Sequence, residues 1–108
     1  MYAYLDFQGL LRTKGELHFV NFEWNDHHPL LGSPYVHVEG TIFNSGERNA
    51  GDVELTIRIY NSAGTLLSTE TMDAGDITSK TYKNISIDIH YSGDASRIET
   101  ELQFRSYG

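Results

Sequence analysis

Residues 38–67, VEGTIFNSGERNAGDVELTIRIYNSAGTLL, decide the fold. Within them Val53, Leu55, Ile57 and Ile59 alternate with Asp52, Glu54, Thr56 and Arg58. A period of two sends the first set to one face and the second to the other, which is what a half-buried strand requires. Just upstream, Val38, Gly40 and Ile42 alternate in the same way with Glu39, Thr41 and Phe43. Both runs halt at an Asn-Ser pair, first in Asn44-Ser45-Gly46 and again in Asn61-Ser62-Ala63-Gly64. Asn tolerates the left-handed backbone and Gly reaches it without steric cost, so both stops read as turns that end one strand and open the next. Gly40, in mid-strand, reads as an inward position that admits a bulky aromatic from the opposite sheet.

The same period extends in both directions. Val36 precedes Val38 in phase; Ile85, Ile87, Ile89 and Tyr91 alternate through NISIDIHY, and Ile98, Thr100, Leu102 and Phe104 through RIETELQF. In LHFVNFEW the phase breaks: Leu17 and Phe19 share one register, while Val20, Phe22 and Trp24 share the other. A strand that bulges or changes sheet shifts phase in this way. Clusters of turn residues, NSGERNAGD, NSAG, DAGD and SGDAS, separate the runs, and no helical period is sustained. The prediction is an all-β, antiparallel sandwich of seven to eight strands. Its core is Val36, Val38, Ile42, Val53, Leu55, Ile57, Ile59, Ile85, Ile87, Ile89, Leu102 and Phe104.

A chain of 108 residues holds one such core. Residues 16–108 form the predicted sandwich. Residues 1–15, with Tyr2, Tyr4, Leu5, Phe7, Leu10 and Leu11, are too apolar for a free tail. They read as an extra edge strand or a segment packed on a neighbouring chain, and so favour a homodimer. Pro29 and Pro34 fall in HHPLLGSPY, a connection that tolerates missing amide donors.

Fifteen acidic residues against eight Lys and Arg give a net charge of −7, which repels a phosphate backbone and argues against nucleic acid as a partner. There is no cysteine, hence no disulfide framework and no thiolate zinc site. No apolar run approaches the roughly 18 residues of a spanning helix, and MYAYLDFQGLL lacks the basic start of a signal peptide, so neither membrane insertion nor a targeting signal is expected from this stretch.

No nucleophile elbow, phosphate loop or HExxH pair occurs, no cofactor is implied, and the expectation is that the chain is not an enzyme. Glu99 and Glu101 share a polar strand face, where solvation explains them. Asp26, His27 and His28 are the candidate metal ligands, because imidazole and carboxylate together suit zinc, nickel or copper. Adjacent strand histidines face opposite ways, so His27 and His28 meet on one ion only where the chain bends. Asp73, Asp76 and Asp94 read as turn caps ahead of calcium ligands. Trp24, Tyr35, His37, Phe43 and Tyr60 are the candidate binding surface, an aromatic patch for protein or carbohydrate. Asn84-Ile85-Ser86 is a formal glycosylation sequon inside a strand.

From Leu17 to Phe104 the chain resembles the FxLYD-type modules and their CARDB-like relatives. The resemblance rests on Val38, Gly40, Ile42, Asn44 and Gly46 in the first strand and stop, on Tyr60, Asn61 and Gly64 in the second, and on Gly75 and Ile77. It implies an immunoglobulin-like sandwich of a prokaryotic cell-envelope protein, non-catalytic, extracytoplasmic, and serving binding, adhesion or spacing. The envelope's own proteins or carbohydrates are then the expected partners. NDHHP and the aromatic start depart from the pattern. The competing expectation is a small ligand- or metal-binding domain, even a metal-dependent enzyme, gathered around Asp26, His27 and His28.

Overall fold

The computed structural model describes residues 16–105 in full and, outside that span, the backbone of three short strands. Six long strands make up the body: β3 (Leu17–His27), β4 (Tyr35–Asn44), β5 (Ala50–Tyr60), β6 (Leu66–Ile77), β7 (Tyr82–His90) and β8 (Arg97–Gln103). They form two antiparallel sheets of three, β3-β4-β7 and β6-β5-β8. The short strands lie along them: β1 (Tyr2–Tyr4) beside β3, β2 (Gly9–Arg12) parallel to β8, and β9 (Ser106–Tyr107) against Ala50 and Gly51. The expected count of seven to eight strands is corrected to six in the body, because the terminal segments add only pieces of two to four residues. Parts of residues 1–15 and Gly108 lie outside the described residues.

Each sheet sends alternate side chains inward, and both contribute to one core. The fold is therefore all-β and sandwich-like. No helix occurs among the described residues, hence none long and apolar enough to cross a membrane. Leu55, Ile57 and Ile59 from one sheet and Val36, Val38 and Ile42 from the other are fully buried. Of the expected core only Ile87 and Phe104 are partly exposed, packed against its rim. Leu17, Phe19, Phe22, Trp24, Ile77, Tyr91 and Ile98, with the small Ala50 and Ala74, complete it.

The phase break in LHFVNFEW is a bulge between Phe19 and Asn21, with Val20 turned outward and 47% exposed. One extra residue there returns Phe22 and Trp24 to the core. Gly40 lies opposite this bulge. A Cβ at Gly40 would stand 3.0 Å from the Asn21 carbonyl oxygen and 3.2 Å from the Phe19 ring. The aromatic that needs the space thus comes from the neighbouring strand of the same sheet, not from the opposite sheet.

The two Asn-Ser stops work through side chains, since neither Asn has a positive φ. Buried Asn44 donates from Nδ2 to the carbonyls of Arg48 and Ile77 and accepts from the Gly46 amide. Asn61 accepts the amides of Ala63 and Thr65, while Gly64 takes the left-handed conformation at φ 86°. In both turns the Asn side chain replaces backbone partners that the departing strand has lost.

Candidate functional site

Alternation along β3, β4 and β7 leaves a second set of side chains on the outer face of that sheet, and the strand registers align them into five rows. At one end His27, Tyr35 and His90 stand side by side. Asn25, His37 and Asp88 follow, then Glu23, Glu39 and Ser86, then Asn21, Thr41 and Asn84. His18, Phe43 and Tyr82 close the other end.

The two end rows are aromatic. His27 stacks on Tyr35 with centroids 4.8 Å apart and planes at 12°, and Tyr35 meets His90 at 5.4 Å. At the far end Phe43 lies 4.6 Å from Tyr82 and 5.8 Å from His18. Tyr82 is 64% exposed. Eight residue steps lead from Tyr35 to Phe43, a span of about 26 Å at the usual rise per residue.

The three middle rows are polar. His37 sits between two carboxylates, Nδ1 2.5 Å from Asp88 Oδ1 and Nε2 2.9 Å from Glu39 Oε1. A carboxylate that only accepts is met by both ring nitrogens at once when the ring carries both protons, so this setting favours the imidazolium. The hydrogen bonds from Glu39 and then Asp88 hold the His37 pKa above the ordinary imidazole value, outweighing slight desolvation. Thr41 Oγ1 donates to Asn84 Oδ1 at 2.8 Å. Between these side chains the face is hollowed into a groove of about 330 Å³, lined by Asn21, Glu39, Thr41, Asn84 and Ser86 together with Gly40 and Ile85. The hollow lies beside the bulge of β3, which falls between Phe19 and Asn21.

Of the five residues expected on a binding surface, Tyr35, His37 and Phe43 share this face. Trp24 does not: it is 1% exposed, its ring inside the core, because the bulge at Val20 restores the inward phase. Tyr60 belongs to the other sheet, where the Arg97 guanidinium covers its ring at 4.4 Å. The aromatic patch of five is thereby corrected to three. The other ring-bearing residues of this face are His18, His27, Tyr82 and His90, with the polar residues between. The alternation of NISIDIH shows that strand's polar side, but its pairing with β4 spans two intervening strands and carries no local signal.

The three candidate metal ligands divide between two sides of β3. His27 belongs to the outer face, while His28 Nε2 lies 2.9 Å from Asp26 Oδ2. Tyr91 donates its hydroxyl to Asp26 Oδ1 and stands 3.3 Å from His28 Nε2. Burial first, and the Asp26 hydrogen bond second, raise the Tyr91 pKa, so the phenol remains protonated. Among the described residues no group of three or more His, Cys, Asp or Glu is placed to hold one ion. DAGD, read from the sequence as a turn, lies inside β6. There Asp73 accepts the Gly75 amide and Asp76 the Asp52 amide of the neighbouring strand, where the β5–β6 register shifts, so both cap irregularities of the sheet and not a turn between strands. At the tip of the β3–β4 loop Leu30 and Leu31 stand fully in solvent.

Comparison with family models, with curated proteins and with solved structures found no match.

Proposed function

We propose that this chain is a non-catalytic, immunoglobulin-like binding module that holds its partner on the outer face of the β3-β4-β7 sheet. The observation that carries the reading is the order of that face: two aromatic rows flank a hollowed polar field. A sheet face serving only solubility needs no such grouping, and concave ground with a few oriented polar groups is the usual form of a binding site. The immunoglobulin-like assignment draws support from hairpins within each sheet, β3-β4 and β5-β6, joined by connections that cross between sheets. The resemblance to FxLYD-type modules supplies the setting, an extracytoplasmic place in a cell envelope, with adhesion or spacing as its service. Proteins or carbohydrates of that envelope are the partners. A homodimer through the sheet edges accompanies this proposal, and light scattering of the purified chain tests it.

Surface capture tests binding. Immobilised chain is exposed to envelope polysaccharide and protein extracts beside the double variant Tyr35→Ala/Tyr82→Ala. The reading expects retention by the natural chain and loss in the variant, with melting temperatures alike. Equal retention by both, or none by either, contradicts it.

A second reading takes its support from the Asp26–His28–Tyr91 network, which offers a small ligand or metal one carboxylate and one imidazole. A zinc- or nickel-induced rise in melting temperature that disappears in His28→Ala would favour it.

A further inference from the structure

We infer that the outer face of the β3-β4-β7 sheet takes a neutral, linear polysaccharide laid along its strands, an inference that rests on the binding-module reading above. The distribution of polarity chooses the ligand class. A protein interface concentrates aromatic and apolar anchors at its centre, desolvated, and leaves polar groups to the rim. Here the order is reversed, with polar rows in the middle and the ring pairs at the ends. A ligand that matches must be polar along its length and present flat C–H surfaces at intervals. A chain of sugar rings has both properties: hydroxyls that donate and accept, and ring faces that stack on an aromatic side chain.

The groove gives the hydroxyls their partners. Asn21, Asn84 and Ser86 each offer a donor and an acceptor within its lining, and Glu39 adds acceptor capacity beyond the oxygen held by His37. Sequence-tolerant pairing of this kind suits a repeating ligand. An extended peptide, by contrast, adds to a sheet at a strand edge and gains its hydrogen bonds from backbone, which an outer face does not expose.

Charge narrows the class further. Glu23, Glu39 and Asp88 lie in two of the three middle rows, and only His37 among their row neighbours can offset them. With a net charge of −7 on the chain, the field over this face disfavours uronic acids, phosphate and sulfate esters. The distance of about 26 Å between the aromatic rows favours an extended chain over a mono- or disaccharide, because only an extended ligand reaches both ends.

Affinity electrophoresis of the full chain provides the test, through native gels that contain a mixed-linkage glucan, a mannan, a xylan or, as anionic probe, polygalacturonate. At least one of the neutral polymers should retard the chain and polygalacturonate should not. Tyr82→Ala, and separately Tyr35→Ala/His90→Ala, should each weaken the retardation about tenfold, the loss of stacking at one end of the face. Tyr60→Ala, on the other sheet, should leave it unchanged. Circular dichroism establishes that each variant is folded. Failure of all three neutral polymers, retardation by polygalacturonate alone, or insensitivity to both aromatic-row variants overturns the inference. If an envelope protein is captured through the same face instead, the polysaccharide is wrong and the binding-module reading stands; if nothing captured depends on the face, both fall.

Discussion

The outer faces of the two sheets arise from one alternation and end in different chemistry. On the β6-β5-β8 sheet the outward groups at its centre partner each other. Arg58 lies 3.4 Å from Glu99 and 3.2 Å from Glu101, Thr56 meets Thr71 at 3.2 Å, and Arg97 covers Tyr60. The smaller hollow of that face, about 190 Å³, is lined by Asp52, Glu54, Asp73 and Arg105 with no aromatic residue. On the β3-β4-β7 sheet Glu39 and Asp88 share the one His37 ring, the aromatic pairs stand apart at the ends, and the face is hollowed between them. A period of two specifies which residues leave the core. It does not specify whether they pair with one another or face outward for a partner; cross-strand register decides that.

The largest effect is expected where the two sheets meet. Ile57 is fully buried, and Ile57→Asp places an unpaired charge in the shared core. Such a change costs more than about 4 kcal/mol, and the variant should be unfolded by circular dichroism at room temperature. A folded variant would mean that the core does not join the two sheets in one cooperative unit.

Gly40→Val acts on one sheet alone. Its Cβ meets the Asn21 carbonyl and the Phe19 ring, so the bulge must shift, at about 1–3 kcal/mol by the usual cost of overpacking. Denaturant unfolding should register the loss, and capture of any ligand should fall with it because the groove lining moves. Arg58→Ala, on the other face, removes partly exposed ion pairs worth about 1 kcal/mol or less. It should lower the denaturation midpoint slightly and leave binding untouched. Binding lost in Arg58→Ala but kept in Gly40→Val would reverse the assignment of faces.

The smallest effect belongs to His37. Its folded pKa is raised by Glu39 and Asp88, so the protonated ring stabilises the folded state. That contribution is fully present below the unfolded value of about 6.5 and is lost as pH rises through the raised folded value. Imidazole shifts followed by NMR should give a pKa above the ordinary value, and Glu39→Gln and Asp88→Asn should each bring it down. An unshifted titration would mean that His37 does not tie Asp88 and Glu39 together across their two rows.

The body of the fold was legible because buried strands repeat their apolar residues every two positions; Val53 to Ile59 needs no partner strand to be recognised. The bulge was legible as a broken phase, although its consequence for Trp24 was not. Only the inserted Val20 makes Phe22 and Trp24 inward residues, and a phase break does not say which residue is the insertion. The Asn-Ser stops were recognisable as turns while their mechanism differed, since the Asn side chains cap amides and carbonyls and leave the positive φ to Gly64. The outer face was legible in part. Tyr35, His37 and Phe43 lie on one strand and declare their common side, whereas Tyr82, Asp88 and His90 join them through a pairing between distant segments.

The central claim is that the β3-β4-β7 face, and not its counterpart, meets the partner. Amide chemical-shift mapping tests it directly, with isotope-labelled chain titrated by whichever envelope fraction the capture experiment retains. Shifts gathered on Thr41, Asn84, Ser86 and Tyr82, with Thr56, Arg58 and Thr71 unmoved, are the predicted result. Shifts gathered instead on Thr56, Arg58 and Thr71, or on the Leu30–Leu31 loop tip, would contradict it.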